Sequence, residues 1–188
     1  MSHHLIQELV KIAGNERSCP ILLPYQQNII SKAEKRIKAQ EQRISEAREN
    51  IQALSEIEHK FLHIMELEIL RWKYLIRVYH STRLKKIQEL VEKLIIPNKD
   101  ELCEVEWEFC LNFQKAFSAA LGDENVEFTS EEKDMSPFVF FKALTNIGPR
   151  LLSDSETNEV MDISENSINL ARLHHVIQLV DENNAAFI

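Results

Sequence analysis

The sequence predicts a mainly α protein: an N-terminal helical bundle domain followed by a small C-terminal β-rich domain. Three observations carry this. Gly and Pro, which punctuate turns, number only three and five in 188 residues, so a few long helices are favoured over many short strands. Up to Gly122, apolar residues recur every three or four positions. Beyond Pro137 that period gives way to short runs of aromatic and β-branched residues between turn-like clusters. The expected division is a helical domain over 1–122, an acidic linker over 123–136 and a small β-rich domain over 137–188.

Leu5, Ile6, Leu9, Val10 and Ile12 predict a short first helix, closed by Gly14-Asn15. Residues 15–23 read as a linker holding Cys19-Pro20, and Pro24 suits the first turn of the next helix. That helix, from Tyr25 to about Leu54, is highly charged, with a narrow stripe of Ile29/Ile30, Ala33, Ile37, Gln40, Ile44 and Ala47. Ser55 with Glu58 three residues on reads as a capping box, with Leu54 placed to staple onto the next turn. The third helix is expected from Glu56 to Ile96, stopped by Pro97-Asn98. A fourth, Asp100–Leu121, carries Leu102, Val105, Phe109, Phe113 and Ala116 on one face, widened by Trp107, Cys110, Leu111 and Phe117. Gly122 ends it.

After the polar connector Asp123–Pro137, "FVFFKAL", "EVMDI" and "INLARL" read as strands. A short helix over His174–Asp181 and a final "AAFI" follow. A module of about 50 residues has a marginal core by itself, and no disulfide or metal pattern staples it. With Phe187-Ile188 at its apolar end, it is expected to dock on something else.

The formal net charge of −8 opposes adventitious binding to DNA or to a membrane surface. Cys19, Cys103 and Cys110 match no C-x-x-C pattern. Cys103 and Cys110 stand about 10 Å apart along one helix, too far for a disulfide, so a reducing compartment is expected. With no long apolar run and no signal pattern, the expectation is a soluble intracellular protein.

Within this acidic chain, Leu70–Ile87 holds Arg71, Lys73, Arg77, Arg83, Lys85 and Lys86 and no carboxylate. At about 100° per residue these cations fall on different sides, whereas a nucleic-acid helix gathers its charge into a stripe. Apolar residues cover most of the circumference, as in a helix surrounded by protein. Its arginines then need carboxylates, with Glu34, Glu41, Glu46, Glu101, Glu104, Glu106 and Glu108 as candidates, because breaking a buried pair costs about 3–5 kcal/mol.

The stretch "ELEILRWKYLIRVYHSTRLKKI" resembles the signature helix of the Sld-five family of GINS DNA replication subunits at Glu68, Arg71, Lys73, Tyr74, Tyr79, Arg83, Leu84, Lys86 and Ile87. The tail is similar as well: "VFFKALTNIG" and "EVMDISENSINLARLHHVIQLVDENNAAFI" match the small C-terminal domain at Gly148, Asp162, Leu170, Arg172 and Ile188. Leu173 departs from a usual aromatic, Asn166 from a turn glycine and Phe187 from a usual Leu. The Y-x-x-x-R-L-x-x-I core is shared with the sister Psf-one family, which stands as the alternative. A helical nucleic-acid-binding protein unrelated to GINS is the rival from another class.

The resemblance implies a non-catalytic scaffold in a heterotetramer with three other GINS subunits. It also implies a nuclear role in initiation and elongation within the replicative helicase assembly, alongside the MCM ring and its RecJ-like partner. The helical domains share a bundle and the small domain sits at a subunit junction. Glu68, Arg71, Trp72, Lys73, Tyr74, Tyr79, Arg83, Leu84, Lys86, Ile87, Phe187 and Ile188 are the expected subunit-interface residues. No membrane association is expected, and no direct DNA contact by the lone chain.

Other chemistry finds little support. His59 and His63 lie at i, i+4 with Glu66 one turn on, and Glu56-x-x-His59 matches half of a di-iron pattern whose second half is missing. His174-His175 read as a helix flank, and His3-His4 as terminal residues. Phosphate-cradle and nucleophile-elbow patterns are absent. Glu101, Glu104 and Glu108 suit a helix N-terminus electrostatically, and Asp154, Glu156 and Glu159 suit a solvated turn. No catalytic, cofactor or metal residue is expected.

Overall fold

The structure, a computed structural model, describes residues 2–49, 55–122, 126–151 and 160–188. The Leu54 staple, the first residues of the acidic connector (123–125) and the acidic turn holding Asp154, Glu156 and Glu159 lie outside these. The predicted fold class is observed: helices dominate the N-terminal part, and a small strand-rich part follows.

The first helix, α1 (Ser2–Ser18), does not stop at Gly14-Asn15 as the sequence suggested. It runs one turn further, until Cys19 N–H reaches Asn15 O at 2.9 Å. Asn15 and Glu16 in that added turn are buried and hold tertiary partners, which outweigh the roughly 1 kcal/mol penalty of a helical glycine. The second helix, α2 (Gln27–Glu49), starts beyond Pro24 and buries Ile30, Ala33, Ile37, Gln40 and Ile44, the predicted stripe.

The third helix, α3 (Glu56–Glu92), begins at the predicted capping box. Ser55 N–H and Oγ both donate to Glu58 Oε2 at 2.7 Å. The helix ends four residues before the expected Ile96. Leu94 takes φ +62°, and Ile95–Ile96 (β1) pairs in parallel with Thr129–Ser130 (β2). Those backbone groups gain sheet partners, so the helix yields before Pro97.

The predicted fourth helix also splits. A 3-10 turn, Lys99–Glu101, is separated by extended Leu102 from α4 (Glu104–Leu121). The break lets Cys103 N–H donate to Glu106 Oε2 at 3.3 Å. Gly122 closes α4 as predicted, at φ +72°, a conformation glycine adopts without steric cost.

In the C-terminal part, β3 (Phe138–Ala143) is the centre of an antiparallel sheet between β6 (Ile168–Arg172) and β7 (Ala185–Phe187). Phe140 faces Leu170, and Phe141 faces Phe187. A separate ladder joins β4 (Gly148–Leu151), which the sequence did not reveal, to β5 (Val160–Ile163). Asn166, at the position usually held by glycine in the resembling family, takes φ +64°, a region asparagine tolerates better than most residues. Helix α5 (Leu173–Asp181) buries Leu173, Val176 and Leu179 with Val139, Phe141, Ala143 and Phe187.

By contact, the chain forms two compact units: Met1–Ala13 with Tyr25–Thr82, and Gly14–Pro24 with Arg83–Ile188. This grouping puts α4 with the strands, whereas the sequence division falls at 122 and 137. The first unit is organised around Leu9, Ile30, Ala33, Ile37, Ile69, Trp72 and Tyr79. The second holds the sheet–α5 core, joined by Cys19, and a smaller core of Leu22, Ile87, Val91 and Cys110.

Candidate assembly interface

The expected interface residues of α3 separate by burial. Trp72, Tyr79, Arg83 and Ile87 are buried; Glu68, Leu84 and Lys86 are half-buried. Arg71, Lys73 and Tyr74 are exposed. The buried ones are covered by this chain's own elements. In the first unit Tyr79 Oη accepts the Gln26 N–H at 3.0 Å, and its ring meets Tyr25 and His80 at 5.8 and 5.6 Å. Gln40 Nε2 reaches Glu68 Oε2 at 3.2 Å. Lys73 pairs with Glu41, one of the predicted carboxylates, at 2.6 Å.

In the second unit Arg83 is enclosed, and its fork is fully used. Nε and Nη2 donate to the two oxygens of Glu106 at 2.8 and 3.0 Å. Nη1 donates to Glu16 Oε2 at 3.0 Å and to Leu23 O, and Nη2 also donates to Glu101 O at 2.9 Å. An arginine offers five N–H donors, and these bonds satisfy all five. Glu106 was among the expected partners; Glu16 was not. Lys86 Nζ likewise uses three donors, on Glu16 Oε1 at 2.7 Å, Glu16 O and Ile21 O at 2.7 Å.

The result is a strap. The extended stretch after α1 has the carbonyls of Ile21, Leu22 and Leu23 held by Lys86, Lys133 and Arg83 respectively. Behind it Cys19 enters the sheet core, where burial pushes its thiol pKa up. Asn15 Oδ1 accepts the Phe187 N–H at 3.0 Å. The small module was expected to dock on something else; within the second unit it rests on Gly14–Pro24. Phe187 is accordingly buried, while Ile188 is exposed.

Among the described residues, α3 leaves a row of large apolar side chains open to solvent. Ile57, Phe61, Ile64, Leu67, Leu70 and Tyr74 follow one another at spacings of three or four residues and are between 51% and 79% exposed. From Ile64 to Tyr74 they occupy the side opposite Ile69 and Trp72, taking about 100° per residue. Leu70 also borders a shallow groove of about 440 Å³ floored by Ile44 and Ile69 and rimmed by Glu41, Arg48 and Glu66. Sequence periodicity could not separate this face from the core, because both are apolar.

His63 Nδ1 stands 3.7 Å from Glu66. Among the described residues, no group of three or more His, Cys, Asp or Glu side chains is placed to hold a metal ion. None of the helices there is long and apolar enough to cross a membrane.

No family model matches the chain. It is, however, 26% identical to the DNA replication complex GINS protein SLD5 of Dictyostelium discoideum, in an alignment of 198 positions covering 94% of this chain and 88% of that protein. The chain is thus similar across nearly its whole length to a GINS subunit of the Sld-five type, the resemblance its third helix and its tail carry.

Proposed function

We propose that this chain is a non-catalytic scaffold subunit of a GINS-type heterotetramer acting in nuclear DNA replication. In this reading it joins three other subunits and, through them, the MCM ring and its RecJ-like partner in the helicase assembly. The similarity to the SLD5 protein supports the family. The observation that carries the scaffold role is the apolar row from Ile57 to Tyr74. Large apolar side chains exposed one after another along a helix mark an interaction surface more often than a free one. Covering the half to four-fifths of these side chains still exposed contributes roughly 1–2 kcal/mol each, a sum of the order that association costs, about 4–15 kcal/mol.

Arg71, Lys73 and Tyr74 belong to the partner face in this proposal. Glu68, Trp72 and Tyr79 pack that stretch of the helix within the first unit, Arg83, Leu84, Lys86 and Ile87 anchor its continuation in the second, and Phe187 and Ile188 belong to the small module. The sequence division at 122 and 137 is proposed as the boundary between bundle and module. The test is affinity purification of the tagged full chain from its native cells, beside an Ile64→Asp/Leu70→Asp variant that keeps its far-UV circular dichroism. The parent should bring three companions of similar size, and the variant should lose them. A parent that purifies alone, or a variant that keeps every companion, overturns the reading.

A further inference from the structure

The connector ahead of β3 ends in Ser136-Pro137. Among the five prolines of the chain this one alone follows a serine or threonine; the others follow Cys19, Leu23, Ile96 and Gly148. Ser136 is exposed, and residues 131–136 belong to no helix or strand. Its Oγ donates to Asp134 Oδ1 at 2.5 Å, and its N–H donates to the same oxygen at 2.9 Å. An aspartate that bonds the backbone two positions on makes a turn of this kind.

That turn sets the chain against the start of α5. Met135 O accepts the His174 N–H at 3.4 Å, Pro137 O accepts the Leu173 N–H at 2.8 Å, and between them Ser136 O accepts Arg172 Nη1 at 3.3 Å. The first N–H groups of a helix find no partner inside it. Arg172, at the N-cap of α5, makes no side-chain cap, and the connector supplies carbonyls instead. Charge beside the serine is one-sided. Between residues 131 and 136, Glu131, Glu132 and Asp134 accompany one cation, Lys133, which donates to Leu22 O at 2.8 Å and pairs with Glu101 at 2.5 Å. Arg172 is engaged as well, its Cζ 5.1 Å from the Phe138 ring centroid.

We propose that Ser136 accepts a phosphoryl group from a proline-directed protein kinase, and that the phosphate unseats the connector from the start of α5. A kinase pocket that offers no acceptor to the residue after the serine selects proline, which has no N–H to leave unsatisfied. In the transfer Ser136 Oγ bonds the γ-phosphorus of a nucleoside triphosphate. The bond from that phosphorus to its bridging oxygen breaks, its electron pair leaves with the diphosphate, and the hydroxyl proton passes to the kinase's base. To enter the kinase the segment must leave α5, which breaks three hydrogen bonds, two of them 3.3 Å or longer. The product carries about −1.5 to −2 charge at neutral pH where an O–H had been donated. The Asp134 carboxylate loses that donor and faces a like charge, so the turn does not re-form and the opened connector persists. This inference is independent of the assembly reading.

The experiment incubates the native full chain with ATP and a recombinant proline-directed kinase of the mitogen-activated type, then locates the phosphate by peptide mass mapping. Phosphate on Ser136, with incorporation about tenfold lower in Pro137→Ala, is the expected result. Amide hydrogen exchange of the phosphorylated chain should then run about tenfold faster at Leu173, and the acceleration should shrink in Asp134→Asn, which keeps the acceptor oxygen without its charge. No phosphate on Ser136, or equal incorporation into Pro137→Ala, overturns the site. Exchange at Leu173 that is unchanged, or slowed because the phosphate settles on Arg172, overturns the unseating. An acceleration undiminished in Asp134→Asn overturns it too.

Discussion

Arg83→Ala removes the centre of the charged cluster in the second unit, and the structure fixes what is lost. Five donated bonds disappear, two to Glu106, one to Glu16 and two to the carbonyls of Leu23 and Glu101. The two carboxylates do not suffer equally. Glu16 keeps Lys86 at 2.7 Å, whereas Glu106, 2% exposed, keeps the Cys103 N–H at 3.3 Å and, among the described residues, has Arg83 as its cation. The dominant cost is therefore a buried carboxylate stripped of its counter-ion, about 3–5 kcal/mol. At roughly 2–4 °C per kcal/mol for a chain of this size, the melting temperature should fall by about 6–20 °C.

Urea unfolding of the full chain at low micromolar concentration, followed by far-UV circular dichroism, reads the loss. Amide hydrogen exchange across Gly14–Pro24 reads its location. The double variant Arg83→Met/Glu106→Met removes both charges and should recover most of the deficit, because apolar replacement of a whole buried pair is often neutral. A single variant within about 1 kcal/mol of the parent would refute the reasoning, since that is the ceiling for an exposed pair. A double variant no better than the single would refute it as well.

Three further outcomes are expected. Asn15→Ala takes the acceptor from the buried Phe187 N–H and should cost about 1–3 kcal/mol, with faster exchange at the Phe187 amide; unchanged exchange there contradicts the strap. In native protein a thiol reagent should label Cys103, which is half-buried, well before Cys19, which is buried with its pKa raised by that burial; equal rates would mean the strap does not rest on the sheet. The Glu58 carboxyl is held below its ordinary range by the Ser55 N–H and hydroxyl. Its folded-state pKa lies below the unfolded one, so its contribution to stability is present above the ordinary carboxylate range and is lost as pH falls through the folded value. NMR titration should show the Glu58 pKa rising in Ser55→Ala, and an unmoved value rules out the capping box.

What the sequence revealed follows from the range of each interaction. The stripe Ile30, Ala33, Ile37, Gln40 and Ile44, the Ser55–Glu58 cap and the αL residue Gly122 are local, set within one or two helical turns, and all were readable. Helix ends were less so. Glu16 extends α1 because Arg83 and Lys86 wait for it, and Ile95–Ile96 leaves α3 because Thr129–Ser130 offers sheet partners. These partners lie dozens of residues away and leave no periodic trace. The one available signal was that Glu16 continues the Leu9, Ile12/Ala13 row of α1 at helical spacing. The capture of the Ile21, Leu22 and Leu23 carbonyls is backbone chemistry, to which side-chain patterns are blind. Trp72 and Leu70 differ by two positions and are equally apolar, so only the packed structure separates core from exposed face.

The most direct test of the scaffold reading is the native mass of the particle that contains the untruncated, unmutated chain when purified from its own cells at physiological salt. One copy bound to three other polypeptides of similar size is expected, with Leu70 and Tyr74 protected from solvent labelling. A particle with the mass of a single chain, with Leu70 and Tyr74 open to label, would contradict it.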